Sequence, residues 1–181
     1  IDSEGKIGYA GMVITNASES IGTTVEETGN SFENLANGII SDETTLSVVN
    51  NNFGDIQEKP YYNSGNFISG YGVYHKTNKA HVLYVGGEID GDKIPSSVNI
   101  FKSVNRSIQS NGILEAHNTG MENVNYGIAL KAQVGSQIWS TNNIMSVNKR
   151  GYILSAVNSD ASGKIKGNDI VFETINASST G

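Results

Sequence analysis

Apolar positions in this chain return as a phrase, not as a helical stripe. In LEAHNTGMENVNYGI, residues 114–128, the strand residue Leu114 leads through an Asn-rich corner to an apolar anchor at Met121. Val124 follows, and then the pair Gly127-Ile128. The phrase returns at Phe32-Leu35-Gly38-Ile39, at Phe101-Val104-Ser107-Ile108, and in part at Met145 with Gly151-Tyr152. Phe53-Ile56 and Phe172-Ile175 carry its first half, and Val25, Leu46, Leu114, Ile138 and Ile165 stand about seven residues ahead of the anchors. Self-similarity at a spacing of roughly 20 to 35 residues is the mark of a repeat architecture.

The apolar runs are short and rich in Val, Ile, Phe and Tyr, which favours strands. Asn, Gly, Ser and Thr fall between them, where tight corners need left-handed backbone or a hydrogen-bonding side chain. Few segments offer an i, i+3, i+4, i+7 apolar stripe long enough for a helix. A β-sandwich also uses many short strands, but it does not predict one phrase returning in constant order. The expected fold is therefore all-β, a parallel β-helix solenoid of about six coils, uncapped at both ends. Phe32, Phe53, Phe101, Met121, Met145 and Phe172 are expected to form one internal stack. Leu35, Ile56, Val104, Val124 and Ile175 form a second, and Ile39, Val73, Ile108, Ile128 and Tyr152 a third. Asn30, Asn51, Asn99 and Asn143 each fall two residues before an anchor, which predicts a structural ladder of side-chain amides at one corner.

The coil phrase Asn-x-Phe-x-x-Leu-x-x-Gly-Ile, as it stands at residues 30–39, resembles the right-handed parallel β-helix of the pectin-lyase-like superfamily. Similar Asn-rich coils occur in large secreted or surface proteins of Bacteroidota and in phage tailspikes. The resemblance implies the fold and its handedness. Its members include polysaccharide lyases and hydrolases as well as adhesins without activity. The polygalacturonase-type set of Asn-Thr-Asp, Asp-Asp, Gly-His-Gly and Arg-x-Lys is missing from this sequence, which weakens the enzyme reading.

Residues 1–181 read as a single β-helix segment with insertions near 57–70 and 90–97. With no capping helix apparent, the segment is expected to be an excerpt of a longer chain, with neighbouring coils as its partners. Lys and Arg number 12 against 18 Asp and Glu, a formal net charge of -6, which argues against nucleic acid as a partner. No apolar stretch has the length of a membrane span. There is no Cys, so disulfides and thiolate-bound zinc are excluded.

Candidate chemistry is sparse. Glu88, Asp90 and Asp92 alternate in GGEIDGDK and would share one face of a strand. They are the one group of oxygen ligands suited to Ca2+, although the stretch departs from the β-roll and EF-hand patterns. No cofactor is otherwise expected. A glycosidase needs two carboxylates flanking the sugar bond, and Glu88, Asp90, Glu122 and Asp55 are the ones to consider. His75, His81 and His117 show no metal-ligand spacing. Tyr61, Tyr62, Phe67, Tyr71 and Tyr74 cluster in and after the longest insertion, where rings suit stacking on sugars. The sequence thus favours a non-catalytic shaft or adhesin segment, secreted or at the cell surface, that binds glycans or a surface protein through inserted loops. The alternatives are a polysaccharide lyase or glycoside hydrolase acting through Asp90, Asp92, Glu88 or Glu122, and a phage tailspike shaft.

Overall fold

A computed structural model describes residues 10–15, 18–22, 29–60, 67–68, 70–77, 81–86, 99–132, 135–156 and 162–172. All regular elements among them are strands. The chain runs β1 (Met12–Thr15), β2 (Ser18–Gly22), β3 (Ser31–Glu33), β4 (Asn37–Asp42), β5 (Thr45–Val49) and β6 (Asn52–Gly54). Then come β7 (Lys59–Pro60), β8 (Phe67–Ile68), β9 (Tyr71–Lys76), β10 (Val82–Val85), β11 (Ile100–Lys102) and β12 (Arg106–Ser110). It closes with β13 (Ile113–His117), β14 (Gly120–Ala132), β15 (Gln137–Thr141), β16 (Ile144–Ala156), β17 (Ser162–Lys166) and β18 (Asp169–Phe172). β7 and β8 pair antiparallel, and every other pairing is parallel.

The parallel strands fall into three rows. Row one holds β3, β6, β11, the starts of β14 and β16, and β18. Row two holds β1, β4, β9, β12 and the later halves of β14 and β16. Row three is a six-stranded sheet in the order β17-β15-β13-β10-β5-β2. The chain visits rows two, three and one in that order each time. The long strands β14 and β16 merge rows one and two into a single curled sheet. This arrangement is compatible with a parallel β-solenoid.

Registry carries the core. Phe32, Phe53, Phe101, Met121 and Met145 are strand partners in succession. The Phe32 and Phe53 rings stack with centroids 5.1 Å apart, and those of Phe53 and Phe101 lie 4.5 Å apart. Each such pair contributes about 0.5–1.5 kcal/mol beyond the area it buries. In row two, Met12, Ile39, Val73, Ile108, Ile128 and Tyr152 follow one another in register. Row three adds Leu46, Leu83, Leu114 and Ile138. Gly38 and Gly72 stand where neighbouring chains come closest: a Cβ on Gly38 would lie 2.5 Å from the Gly72 carbonyl oxygen, and one on Gly72 would lie 2.7 Å from that of Ser107.

The corners explain the abundance of Asn. Asn34, Asp55, Ser103 and Asn123 have φ of 54°, 52°, 54° and 52°, one behind another where row one turns into row two. Asn50, Asn118 and Asn142 take the same left-handed conformation where row three turns into row one. Short polar side chains enter this region at least cost. Each of the last three is followed by a ladder position. Asn51 Oδ1 accepts from the Asn30 backbone N–H at 3.2 Å, and Asn99 Oδ1 from that of Asn51 at 3.0 Å. Asn143 Oδ1 accepts from Thr119 N–H at 3.0 Å, and Asn168 Oδ1 from Asn143 N–H at 2.9 Å. The ladder expected from the sequence is present, with Thr119 replacing Asn on one rung.

The C-terminal strands depart from the expected register. Ile170, not Phe172, pairs with Met145, and Phe172 pairs with Val147. Gly163, not Ile165, is the partner of Ile138. Two facts cause this. Asn168 locks into the ladder, which puts the anchor two residues on at Ile170. The registry also shifts between Met121 and Val124, so Val147 takes the second position only two residues after Met145. At the other end, the strand aligned with β5 is β2, where Glu19 partners Leu46. Val25 and Ile175 lie outside the described residues.

Candidate functional site

The outward side of row two holds the aromatic residues that the structure describes among those expected to bind. Strand alternation turns Val73 and His75 inward and leaves Tyr74 facing out, with Tyr71 beside it. The Tyr71 and Tyr74 rings stack with centroids 4.6 Å apart and planes inclined by 23°. The Tyr71 backbone N–H donates to Asn37 Oδ1 at 3.2 Å.

Tyr71 also begins an outward column. Its partner on β12 is Arg106, Arg106 pairs with Tyr126 on β14, and Tyr126 pairs with Arg150 on β16. The Arg106 guanidinium carbon lies 5.8 Å from the Tyr71 ring centroid and 4.7 Å from that of Tyr126. Lys149 Nζ is 5.4 Å from the Tyr126 ring. Contacts of a cation with a ring quadrupole are worth about 0.5–1 kcal/mol each when exposed, and here they hold the guanidinium between two rings. Among the described residues, Arg106 Nε is buried without a hydrogen-bond partner.

Charge is unevenly distributed. β12 and the row-two halves of β14 and β16 carry Arg106, Lys131 and Arg150 and no carboxylate, and Lys149 adjoins them. Two cations elsewhere are paired: Lys76 Nζ lies 3.5 Å from Asp42 Oδ2, and Lys102 Nζ lies 3.2 Å from Glu122 Oε1. Lys164 and Lys166, exposed on β17 in row three, have no such pair among the described residues.

Other expected site residues are scattered. Glu122 sits on row one, exposed and paired with Lys102. Asp55 is an exposed corner residue. Glu88, Asp90, Asp92, Tyr61 and Tyr62 lie outside the described residues. Phe67 falls on β8, where the structure describes the backbone alone. Among the described residues no group of three or more His, Cys, Asp or Glu is placed to hold a metal.

The histidines have structural partners. His75 is fully buried; its Nε2–H donates to the Thr44 carbonyl at 2.8 Å, and its Nδ1 lies 2.8 Å from Ser110 Oγ, which donates to it. Burial holds its pKa below the ordinary imidazole value, outweighing the Thr44 bond. His117 Nδ1 lies 2.7 Å from Thr141 Oγ1. Burial lowers its pKa too, although the Glu115 carboxylate 3.8 Å from Nε2 pulls the other way. His81 lies 3.3 Å from Thr45 Oγ1 and 3.9 Å from Glu43. Tyr152, at the end of its inward stack, shares a 2.7 Å hydrogen bond with Ser140 Oγ, and burial raises its pKa.

Arg106, Tyr126, Lys149 and Arg150 are not among the site residues expected from the sequence. A usable signal exists: the residue preceding each Gly or Ser marker reads Asn37, Tyr71, Arg106, Tyr126, Arg150. Compared with known proteins, the chain matches no family model, and neither a curated protein nor a solved structure matches it.

Proposed function

We propose that these residues form about six coils of a right-handed parallel β-helix of the pectin-lyase-like kind, a stiff, non-catalytic shaft segment of a secreted or cell-surface protein. The coils carry outward strips and inserted loops that bind glycans or protein partners. The observation that carries this reading is the constant order in which the chain visits three rows of parallel strands. Such stacking places one side chain per coil in each outward column, at the strand spacing of about 4.8 Å. That geometry suits display along an axis better than enclosure of a substrate. Exposed apolar side chains at inward positions of the last strands, Leu154 at 57% and Ile170 at 39%, support a neighbouring coil as a partner of that edge.

The test is to incubate the protein with a panel of polysaccharides and follow both retention and chain length. Retention without shortening supports the shaft. Release of shorter oligosaccharides, lost when Asp90 and Asp92 are replaced by Asn, would sink it in favour of a lyase or hydrolase.

A further inference from the structure

We propose that the outward strip Tyr71, Arg106, Tyr126, Arg150 binds a linear acidic polysaccharide that carries its negative charge on every second sugar. This rests on the glycan-display reading above and narrows it to one face and one ligand chemistry.

Three observations converge on it. The first is alternation: β9, β12, β14 and β16 are consecutive neighbours, so the strip reads aromatic, cation, aromatic, cation along the stacking direction. Like groups stand two strands apart, about 10 Å, which is close to the length of a disaccharide. The second is unneutralised charge. Among the described residues Arg106, Lys131, Lys149 and Arg150 have no carboxylate partner, whereas Lys76 and Lys102 do; Lys164 and Lys166 are also unpaired, but they lie on β17 in row three, without rings between them. The third is preorganisation. Arg106 is held between two rings, so its terminal N–H groups are presented at little further entropic cost. Guanidinium groups suit carboxylate or sulfate oxygens, and the tyrosine hydroxyls suit the uncharged sugar between.

The same numbers separate this ligand from other polyanions. Duplex DNA carries a charge per roughly 1.7 Å of axis, far denser than the strip. A chain of formal net charge -6 would also repel it over the remaining surface. A sparsely charged polymer meets less of that repulsion and can still engage the unpaired cations of the strip.

The test is affinity electrophoresis of the whole chain at low salt, through gels containing hyaluronan (charged on alternate sugars), polygalacturonate (charged on every sugar), dextran or single-stranded DNA. Hyaluronan is expected to retard the protein most. Arg106→Gln and Arg150→Gln each weaken retardation at least about tenfold, as loss of a charge-assisted contact predicts. Lys102→Gln, on row one, leaves it unchanged. Arg150 is exposed and off the rings, so its variant keeps the test open even where Arg106→Gln misfolds. Equal retardation by dextran overturns the charged-ligand proposal and leaves the glycan-display reading standing. Stronger retardation by polygalacturonate or DNA overturns the alternate spacing. Retardation by none of the polysaccharides removes this proposal and the glycan-display reading together.

Discussion

Replacing Asn143 by Leu tests the corner ladder where it is fully enclosed. Asn143 is completely buried, and its side chain serves four neighbours. Oδ1 accepts from Thr119 N–H, while the two hydrogens of Nδ2 are shared among the Ala116 carbonyl at 2.9 Å, Ser140 Oγ at 2.8 Å and Asn168 Oδ1 at 2.8 Å. Leucine has nearly the same size, so it keeps water out while removing every one of these bonds. Two backbone groups, Thr119 N–H and Ala116 C=O, are then left buried without those partners, at about 1–3 kcal/mol each. The expected loss is therefore about 2–6 kcal/mol, a large share of the 5–15 kcal/mol typical of a domain. Urea unfolding followed by the fluorescence of Trp139, on neighbouring β15, measures it. Hydrogen exchange at the Thr119 amide should accelerate in parallel. The matched comparison is Asn168→Leu, a half-buried rung with one exposed partner, the Lys166 carbonyl, and it should cost less. An Asn143→Leu protein within about 0.5 kcal/mol of wild type, or a control that costs as much, would refute the account of the ladder.

Further expectations concern packing, protons and charge. Gly72→Ala drives a methyl to within 2.7 Å of the Ser107 carbonyl and into the Phe101 ring, and should cost about 1–3 kcal/mol by thermal unfolding. Gly54→Ala meets the flexible Glu33 side chain at 3.2 Å and should cost much less than Gly72→Ala in the same assay. Phe101→Ala, which removes a fully buried ring stacked on Phe53, should cost about 3–5 kcal/mol in urea. His75 and His117 have folded pKa values below the unfolded value of 6.5, so the unfolded chain binds more protons as pH falls. Stability should then be fully present above pH 6.5 and decline as pH drops below it; unfolding midpoints measured at falling pH check this, and a flat profile contradicts it. Glu122→Gln, which breaks an exposed ion pair with Lys102, should change stability by less than about 1 kcal/mol and leave glycan retention intact.

What could be read in the residues follows the physics of each feature. The inward stacks were legible because burial demands apolar side chains, and these recur with the coil whatever their identity: Phe53 is followed by Phe101 and then Met121. The ladder was legible because one amide chemistry is needed at one position. The final coil was misread because apolar residues two apart, Ile170 and Phe172, both fit an inward position, and only Asn168 decides between them. Missing one residue between Met145 and Val147 compounds the slip. The cationic strip was hidden for a different reason. Outward positions face water and obey no hydrophobic rule, so Arg106 and Tyr126 become a pattern only after the strands are in register. Of the expected candidates, the structure brings Tyr71 and Tyr74 together and sets Glu122 apart on another row.

The ladder has an architectural consequence. Its contacts join residues separated by 21, 48, 24 and 25 positions in the chain, yet in each of them a backbone or side-chain N–H meets the amide oxygen of the next Asn. Lengthening the connection from 24 to 48 positions adds only about 0.6 kcal/mol of closure entropy, because the rung itself is unaltered. Segments can therefore be spliced in between strands, or removed, without disturbing the coils on either side. The scaffold tolerates new loops as a bookshelf tolerates new volumes, and its outward surface is free to diversify while its spine stays the same.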